Sequence, residues 1–251
     1  MASLTIITLT LNEEKNIGSC LEGVRWADQI IVVDSCSTDQ TVAIAEKLSA
    51  EVFKKPWEGY GQAKNFALEH ARGDWVLWLD ADERVTPELA AEIRGIISRP
   101  SHEAVAYDVA RRAYFLGKWI KHCGWYPGRV VRLLRRDSAR FSEARVHEQL
   151  LVEGTVGHLK NDLIHYTDND LVHYFSKFNR YTSLAAEEML AAGKRAGIFD
   201  LLLRPPFMFI KTYVLRLGVL DGIHGFILSA VSSAYVFVKY AKLWEISRPS
   251  K

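Results

Sequence analysis

Residues 76–83 read Val-Leu-Trp-Leu-Asp-Ala-Asp-Glu, four apolar side chains followed by three carboxylates in four positions. Like charges that close cost free energy unless a cation or a shared proton relieves them. Asp80 and Asp82 could hold a divalent cation between them, and could equally be the acids of a solvated turn. Other residues with chemical capability are scattered: Asn12 and Glu13 in "LNEE", Asp34 closing "QIIVVD", the pair His147–Glu148, and His165 in "LIHYT". Carboxylates and imidazoles accept protons from hydroxyl groups, and both ligate metals.

The elements that must position these residues follow from periodicity. Leu4–Leu9 is an apolar run suited to a buried strand, and Asn12 can cap a helix carrying Ile17, Leu21 and Val24. Residues 29–34 form a second strand, after which Thr38–Asp39 starts a helix with Val42, Ala45 and Leu48 inward. Val52–Phe53 is a third strand, 59–71 a helix, and 75–80 the fourth strand; Thr86 caps the next helix and Pro87 opens it. Strands alternating with helices predict a mostly parallel sheet, and such sheets bind ligands outside the carboxyl ends of their strands. Asn12, Asp34, Asp80 and Asp82 all fall at those ends, so one rim collects them.

The later chain changes character. Residues 104–112 and 128–136 read as strands separated by the loop "YFLGKWIKHCGWYPG". From Arg111 to Arg145 there are ten Lys or Arg against two acids, Asp137 and Glu143, which marks a cationic surface. A helix is expected from Leu171 to Ala192. The apolar and aromatic tail from Leu201 to Trp244 is interrupted by Arg204, Lys211, Arg216, Lys239 and Lys242, with Pro205–Pro206 expected to break the chain ahead of it. The expected division is therefore an α/β domain over 1–198 and a C-terminal amphipathic helical module over 199–251.

Composition removes several classes. With 251 residues, 49% apolar and 25% charged, the chain suits one α/β domain with an appendage. A net charge of +2 is too mild for a nucleic-acid binder, so none is expected as partner. Cys20, Cys36 and Cys123 are odd in number and widely spaced, which disfavours a disulfide framework or a structural zinc site and fits a reducing compartment. The first residues lead into a strand without a basic, apolar leader, so a cytosolic protein is expected.

Three chemistries use paired aspartates at a strand end. An aspartate-nucleophile phosphatase carries the pair on its first strand with Thr or Val two residues beyond, whereas this pair closes the fourth strand and Arg84 follows. A nucleotidyltransferase needs a glycine-rich basic loop after the first strand, and "LNEE" has no glycine. A nucleotide-sugar glycosyltransferase needs what is present. A cation held by two carboxylates can bridge the donor diphosphate and neutralise the leaving group. On that reading the cation relieves the crowded charges, and the rim is expected to be loosely ordered without it.

At this point a family resemblance is visible. "TLNEEKNI", "IIVVDSCSTDQT", "GQAKNFALEHARGDWVLWLDADE" and "VHE" resemble, in order and spacing, the family-two GT-A glycosyltransferases over roughly the first 150 residues. "GWYPGRVVRLLRR", "RVHEQL", "GVLDGIHGF" and "VKYAKLWE" are similar to the lipopolysaccharide inner-core glucosyltransferases, which move β-glucose from UDP-glucose to a core heptose. The resemblance implies a GT-A nucleotide-sugar-binding fold and an inverting, metal-dependent transfer with Mg or Mn. It implies that Asp34 accepts a hydrogen bond from uracil, that Thr10, Asn12 and Glu13 wrap the nucleoside, and that Lys64 lies near the nucleotide. Asp80 and Asp82 are the implied sugar and metal carboxylates, with His165 a further ligand in some relatives. Relatives often carry Glu-Asp where this chain has His147–Glu148; Glu148 is the implied base, with His147 an alternative base or ligand.

Arg129 and Arg132 with Trp125 and Tyr126 form a cationic and aromatic set suited to an anionic glycan acceptor. The expected partners are a UDP-sugar, a lipopolysaccharide-type glycolipid, a membrane surface and, through the C-terminal helices, a second copy of the chain. The expected location is the inner face of the cytoplasmic membrane. The longest uncharged run, Gly222–Val238, is shorter than the roughly 20 residues of a spanning helix, so surface attachment without spanning is expected. The alternatives are transfer onto a polyprenyl phosphate and an inactive sugar-nucleotide-binding module.

Overall fold

Every second residue of the first strands belongs to a different core. In β1 (Leu4–Thr10), β2 (Gln29–Asp34) and β4 (Trp75–Asp80), Leu4, Ile6, Ile30, Val32, Trp75, Leu77 and Leu79 pack on one face. Ile7, Ile31, Val33, Val76 and Trp78 pack on the other. Near-continuous apolar runs are what a sheet covered on both faces demands. The first face is covered by α1 (Ile17–Glu22), α2 (Thr41–Lys47) and α4 (Pro87–Ile97), through Ile17, Leu21, Ala45, Leu89 and Ile93. Ala67 and Ala71, in and just after α3 (Tyr60–His70), cover the second.

The computed structural model describes residues 2–99, 103–141, 150–168 and 170–248. The remaining strands are β3 (Glu51–Lys54), β5 (Glu83–Val85), β6 (Ala106–Phe115), β7 (Lys118–Trp119), β8 (Gly128–Arg135), β9 (Ala139–Phe141), β10 (Leu150–Val152), β11 (Val156–His158) and β12 (Leu163–Asp168). The main sheet runs β3-β2-β1-β4-β8-β6-β12-β5. Its first four strands are parallel, while β8 runs antiparallel to β4 and β12 antiparallel to β5. The sheet is thus mixed, its parallel half coinciding with the βα repeats read from the sequence. Gly73, before β4, donates its N–H to Thr5 Oγ1 at 2.9 Å, and a Cβ there would meet the Thr5 backbone at 2.6 Å. Only glycine lets the two chains approach so closely.

Two compact units make up the chain, residues 1–111 with 129–165, and residues 112–128 with 166–251. The second unit is larger than the 199–251 tail, because the aromatic loop 112–128 and α5 (Leu171–Ala191) belong to it. Its other helices are α6 (Ile198–Ile210) and α7 (Gly222–Ile246).

Local rules account for several boundaries. Thr86 Oγ1 accepts from Leu89 N–H at 3.2 Å and Pro87 stands in the first turn, as expected. Asn12 does not cap α1, which begins at Ile17 behind Asn16. Thr38–Asp39 does not open α2 either; Asp39 accepts from Thr41 N–H at 3.0 Å, and the helix starts at Thr41. Pro205 and Pro206 do not break the chain but lie inside α6. Each removes one helical N–H, and Ser233 Oγ donates to the Pro205 carbonyl at 2.8 Å.

Candidate active site

The loops after β1 and β2 are stitched into one rim. Asn12 has φ 56°, a left-handed conformation that asparagine tolerates, and its Oδ1 accepts from Thr38 N–H at 2.9 Å. Asn12 N–H donates to Ser37 Oγ at 2.8 Å and Glu13 N–H to Thr41 Oγ1 at 2.7 Å. Asp34 is wholly buried at the floor of this rim. It accepts from Thr10 Oγ1 at 3.0 Å, Ser37 N–H at 2.8 Å and the Ser37 hydroxyl. Thr10, Asn12, Glu13 and Asp34 are therefore brought together, and Asp34 shapes the loop around it.

Lys64 and Asn65 project from α3 on the same side. The Lys64 ammonium lies 5.7 Å from the Tyr60 ring centroid and 4.7 Å from that of Phe141, and its charge is felt at Asp80. Asn65 exchanges two hydrogen bonds with the Phe141 backbone, 2.9 and 3.0 Å, fixing β9 to the helix. Phe141 is the last described residue before the segment holding His147 and Glu148, which lie outside the described residues.

The acidic turn is already neutralised by protein cations. Arg132, on β8 beside β4, has its side chain 12% exposed and bonds both Asp80 and Glu83, the latter at 2.6 Å. Glu83 is fully buried in β5, and its second oxygen accepts from Asp80 N–H at 3.0 Å. Arg84 donates to the carbonyls of Ala81 and Glu83, both at 2.8 Å. The turn is therefore clamped within the chain. The sequence placed Arg132 in the acceptor set, because a cation distant in sequence joins Asp80 only through the β4–β8 pairing.

Charge states follow from this clamp. The protein around Asp80 raises its carboxyl, but the Arg132 charge and hydrogen bond outweigh that and hold it below the usual carboxylate range. Complete burial lifts Glu83 above its ordinary value, and Arg132 offsets only part of the rise. Cys20 Sγ lies 3.5 Å from the Asp80 carbonyl, and burial pushes its thiol up to about 12, so it is no nucleophile.

Asp82 faces His165, with Oδ2 3.4 Å from Nε2 and both side chains largely buried. A carboxylate oxygen suits Mg or Mn, and an imidazole nitrogen beside it favours the transition metal Mn, when the substrate supplies further oxygens. No cluster of three protein donors occurs among the described residues, so donor oxygens would have to complete such a site. Asp80 is engaged by Arg132, which leaves Asp82 and His165 as the residues that fit the cation.

The four residues read as one acceptor set separate. Arg132 serves the acidic turn. Arg129 Nη1 bonds Asp108 at 2.5 Å and reaches the Leu159 carbonyl at 3.3 Å. Trp125 and Tyr126 belong to the second unit, where Trp125 packs edge-on to Phe115 and Tyr126 edge-on to Trp119.

Comparison with known proteins identifies the family and the fold. The model of glycosyl transferase family 2 matches residues 5–147. The lipopolysaccharide core biosynthesis glycosyltransferase LpsC of Rhizobium meliloti (strain 1021) is 32% identical over 96% of this chain and 92% of its own length. An uncharacterised glycosyltransferase of Rickettsia typhi is 30% identical over 100% of this chain and 90% of its own. Among solved structures, a mannosyltransferase of Pyrobaculum calidifontis, determined with GDP-Man and Mn2+, superposes with a TM-score of 0.58. That match covers 98% of this chain and 88% of the mannosyltransferase at 14% identity, a likeness of fold. The fold is GT-A, and the chain belongs to glycosyl transferase family 2.

Proposed function

We propose that the protein transfers a sugar, with inversion, from a UDP-sugar to an anionic glycolipid. The proposed donor is UDP-glucose and the proposed acceptor a heptose of the lipopolysaccharide inner core. The reading rests on one observation above others: the nucleoside loops, Asp34, Lys64 and the Asp80–Asp82 turn share the carboxyl-terminal rim of one parallel sheet half. The name of the LpsC relative supports the acceptor class. The proposed location is the inner face of the cytoplasmic membrane.

In this mechanism Thr10, Asn12, Glu13 and Asp34 hold the nucleoside, and Asp80, fixed by Arg132, orients the donor sugar. Asp82 and His165 would hold the divalent cation, which supplies charge neutralisation at the departing diphosphate. Glu148, with His147 the alternative, removes the proton from the attacking acceptor hydroxyl. The acceptor oxygen bonds the anomeric carbon as its bond to the diphosphate oxygen breaks, and UDP leaves.

Two outcomes are expected. Asp34→Asn should weaken UDP binding by about 10- to 100-fold in calorimetry, since it loses a hydrogen bond to a charged acceptor. An unchanged affinity in a thermally weakened protein would leave Asp34 only its role within the loop. Glu148→Gln should lower kcat by about 10²–10⁴ while leaving UDP-sugar affinity near native. Retained turnover would pass the role of base to His147. The reading as a whole is tested by following UDP release from a panel of UDP-sugars with purified inner-core lipopolysaccharide. Release by UDP-glucose that depends on the acceptor supports it, and acceptor-independent release with every donor contradicts it.

A further inference from the structure

The second unit leaves one apolar face uncovered. Thirteen large apolar side chains between Ile198 and Phe226 are exposed, among them Phe199 at 73%, Leu215 at 67% and Ile223 at 64%. Positions 199, 203, 207 and 210 recur at helical spacing, so α6 carries them as one stripe, and Val214 follows in the π-helical turn after it. The stripe continues around the turn into α7 through Leu217, Leu220 and Ile223. An apolar surface of that extent has a partner.

The turn at its end is built tightly and carries charge beside it. Gly225 lies so close to the Gly218 carbonyl that a Cβ would stand 1.9 Å from its oxygen. Buried Asp221 accepts from the backbone N–H groups of His122 and Lys121 at 2.9 and 3.3 Å, and its carbonyl accepts from Lys118 Nζ at 2.7 Å. The basic loop is thereby fastened to the apolar turn. Lys121 and Arg112 lie 4.7 and 5.0 Å from the Trp119 ring. Exposed Arg216 bonds the same loop, its carbonyl accepting from Cys123 N–H at 3.0 Å. Cations and an indole gathered beside an apolar tip complement anionic headgroups above acyl chains.

Helix α7, with the turn before it, is long and apolar enough to cross a membrane by length and composition. Its packing opposes that. Lys242 Nζ bonds the Asn179 carbonyl and Thr182 Oγ1, both at 2.9 Å, and Tyr235 bonds the Tyr181 carbonyl at 3.2 Å. The carboxyl-terminal half of α7 is thus tied to α5, which carries Lys177, Arg180, Glu187 and Glu188. A helix bound to so polar a neighbour does not enter hydrocarbon with it.

We propose that the Ile198–Phe226 face, with the Lys118–Lys121 loop at its tip, seats the protein in one leaflet of a bilayer bearing anionic headgroups, to a depth of about 5–10 Å. This deepens the glycolipid reading, and because the test uses vesicles that contain no acceptor, either can fail alone. The full chain is sedimented with vesicles of phosphatidylglycerol and phosphatidylethanolamine at low salt. The triple variant Leu203→Glu, Phe207→Glu, Leu215→Glu, altered only at exposed positions, should bind at least tenfold more weakly while keeping its native circular dichroism. Lys121→Gln should weaken binding about fivefold, and not at all on phosphatidylcholine vesicles. The proposal is overturned if the native chain stays in the supernatant, or if the triple variant pellets as the native chain does. A native dimer in light scattering that the triple variant abolishes would assign the face to a second copy instead. Resistance to carbonate extraction would show that α7 spans.

Discussion

Asp82→Asn should lower turnover by about 10²–10³ or more while the protein unfolds at its native temperature. The change keeps size and hydrogen bonding and removes one charge from the residue that faces His165 at 3.4 Å. Groups that stabilise developing charge contribute on that scale, because they act most strongly as the diphosphate departs. Asp82 holds no part of the clamp on the turn: Asp80, Glu83, Arg84 and Arg132 make those bonds. Stability and activity should therefore separate. Turnover near native with unchanged dependence on added Mn would remove Asp82 from the chemistry.

Arg132→Gln should act in the opposite order, on the fold first. It removes the cation that bridges Asp80 and fully buried Glu83, and leaves Glu83 only its longer ion pair with Arg111 at 4.0 Å. Breaking a buried pair from one side costs about 3–5 kcal/mol. For a chain of this size that lowers the melting temperature by roughly 10 °C. Adding Glu83→Gln removes the orphaned charge, so the double variant should melt above the single one. Thermal denaturation of the three proteins decides this; a single variant as stable as the native chain would show that Arg132 does not support the turn. Activity should fall in both variants, since Asp80 loses its anchor.

The parallel half of the sheet was legible because each strand is a continuous apolar run that ends at a polar residue, and each helix between them repeats its apolar positions at helical spacing. Asp34 and Asp80 were legible for the same reason, as they close those runs, and Asp82 follows in the turn after β4. The partner of Arg132 was not, since it is set by strand pairing across some fifty residues. The tetrad of Trp125, Tyr126, Arg129 and Arg132 looked like one surface because it is continuous in sequence. Strand β8 begins inside it, and residues on either side of that start enter different units. Asn12 was misassigned as a cap because a cap and a loop-bridging asparagine satisfy backbone N–H groups by the same chemistry. The prolines of α6 misled in a related way. Their fixed φ suits a helix, and a serine from α7 bonds the Pro205 carbonyl, a partner invisible in local sequence.

The central claim is that the rim formed by β1, β2 and β4 binds a UDP-sugar with the help of a divalent cation held by Asp82 and His165. Calorimetric titration of UDP-glucose into the full-length protein, with and without Mn, tests it most directly. The account predicts binding that strengthens markedly when Mn is added, a strengthening lost in Asp82→Asn, and weaker binding in Asp34→Asn under both conditions. Equal affinity with and without Mn in the native protein, or no binding of any UDP-sugar, would contradict it.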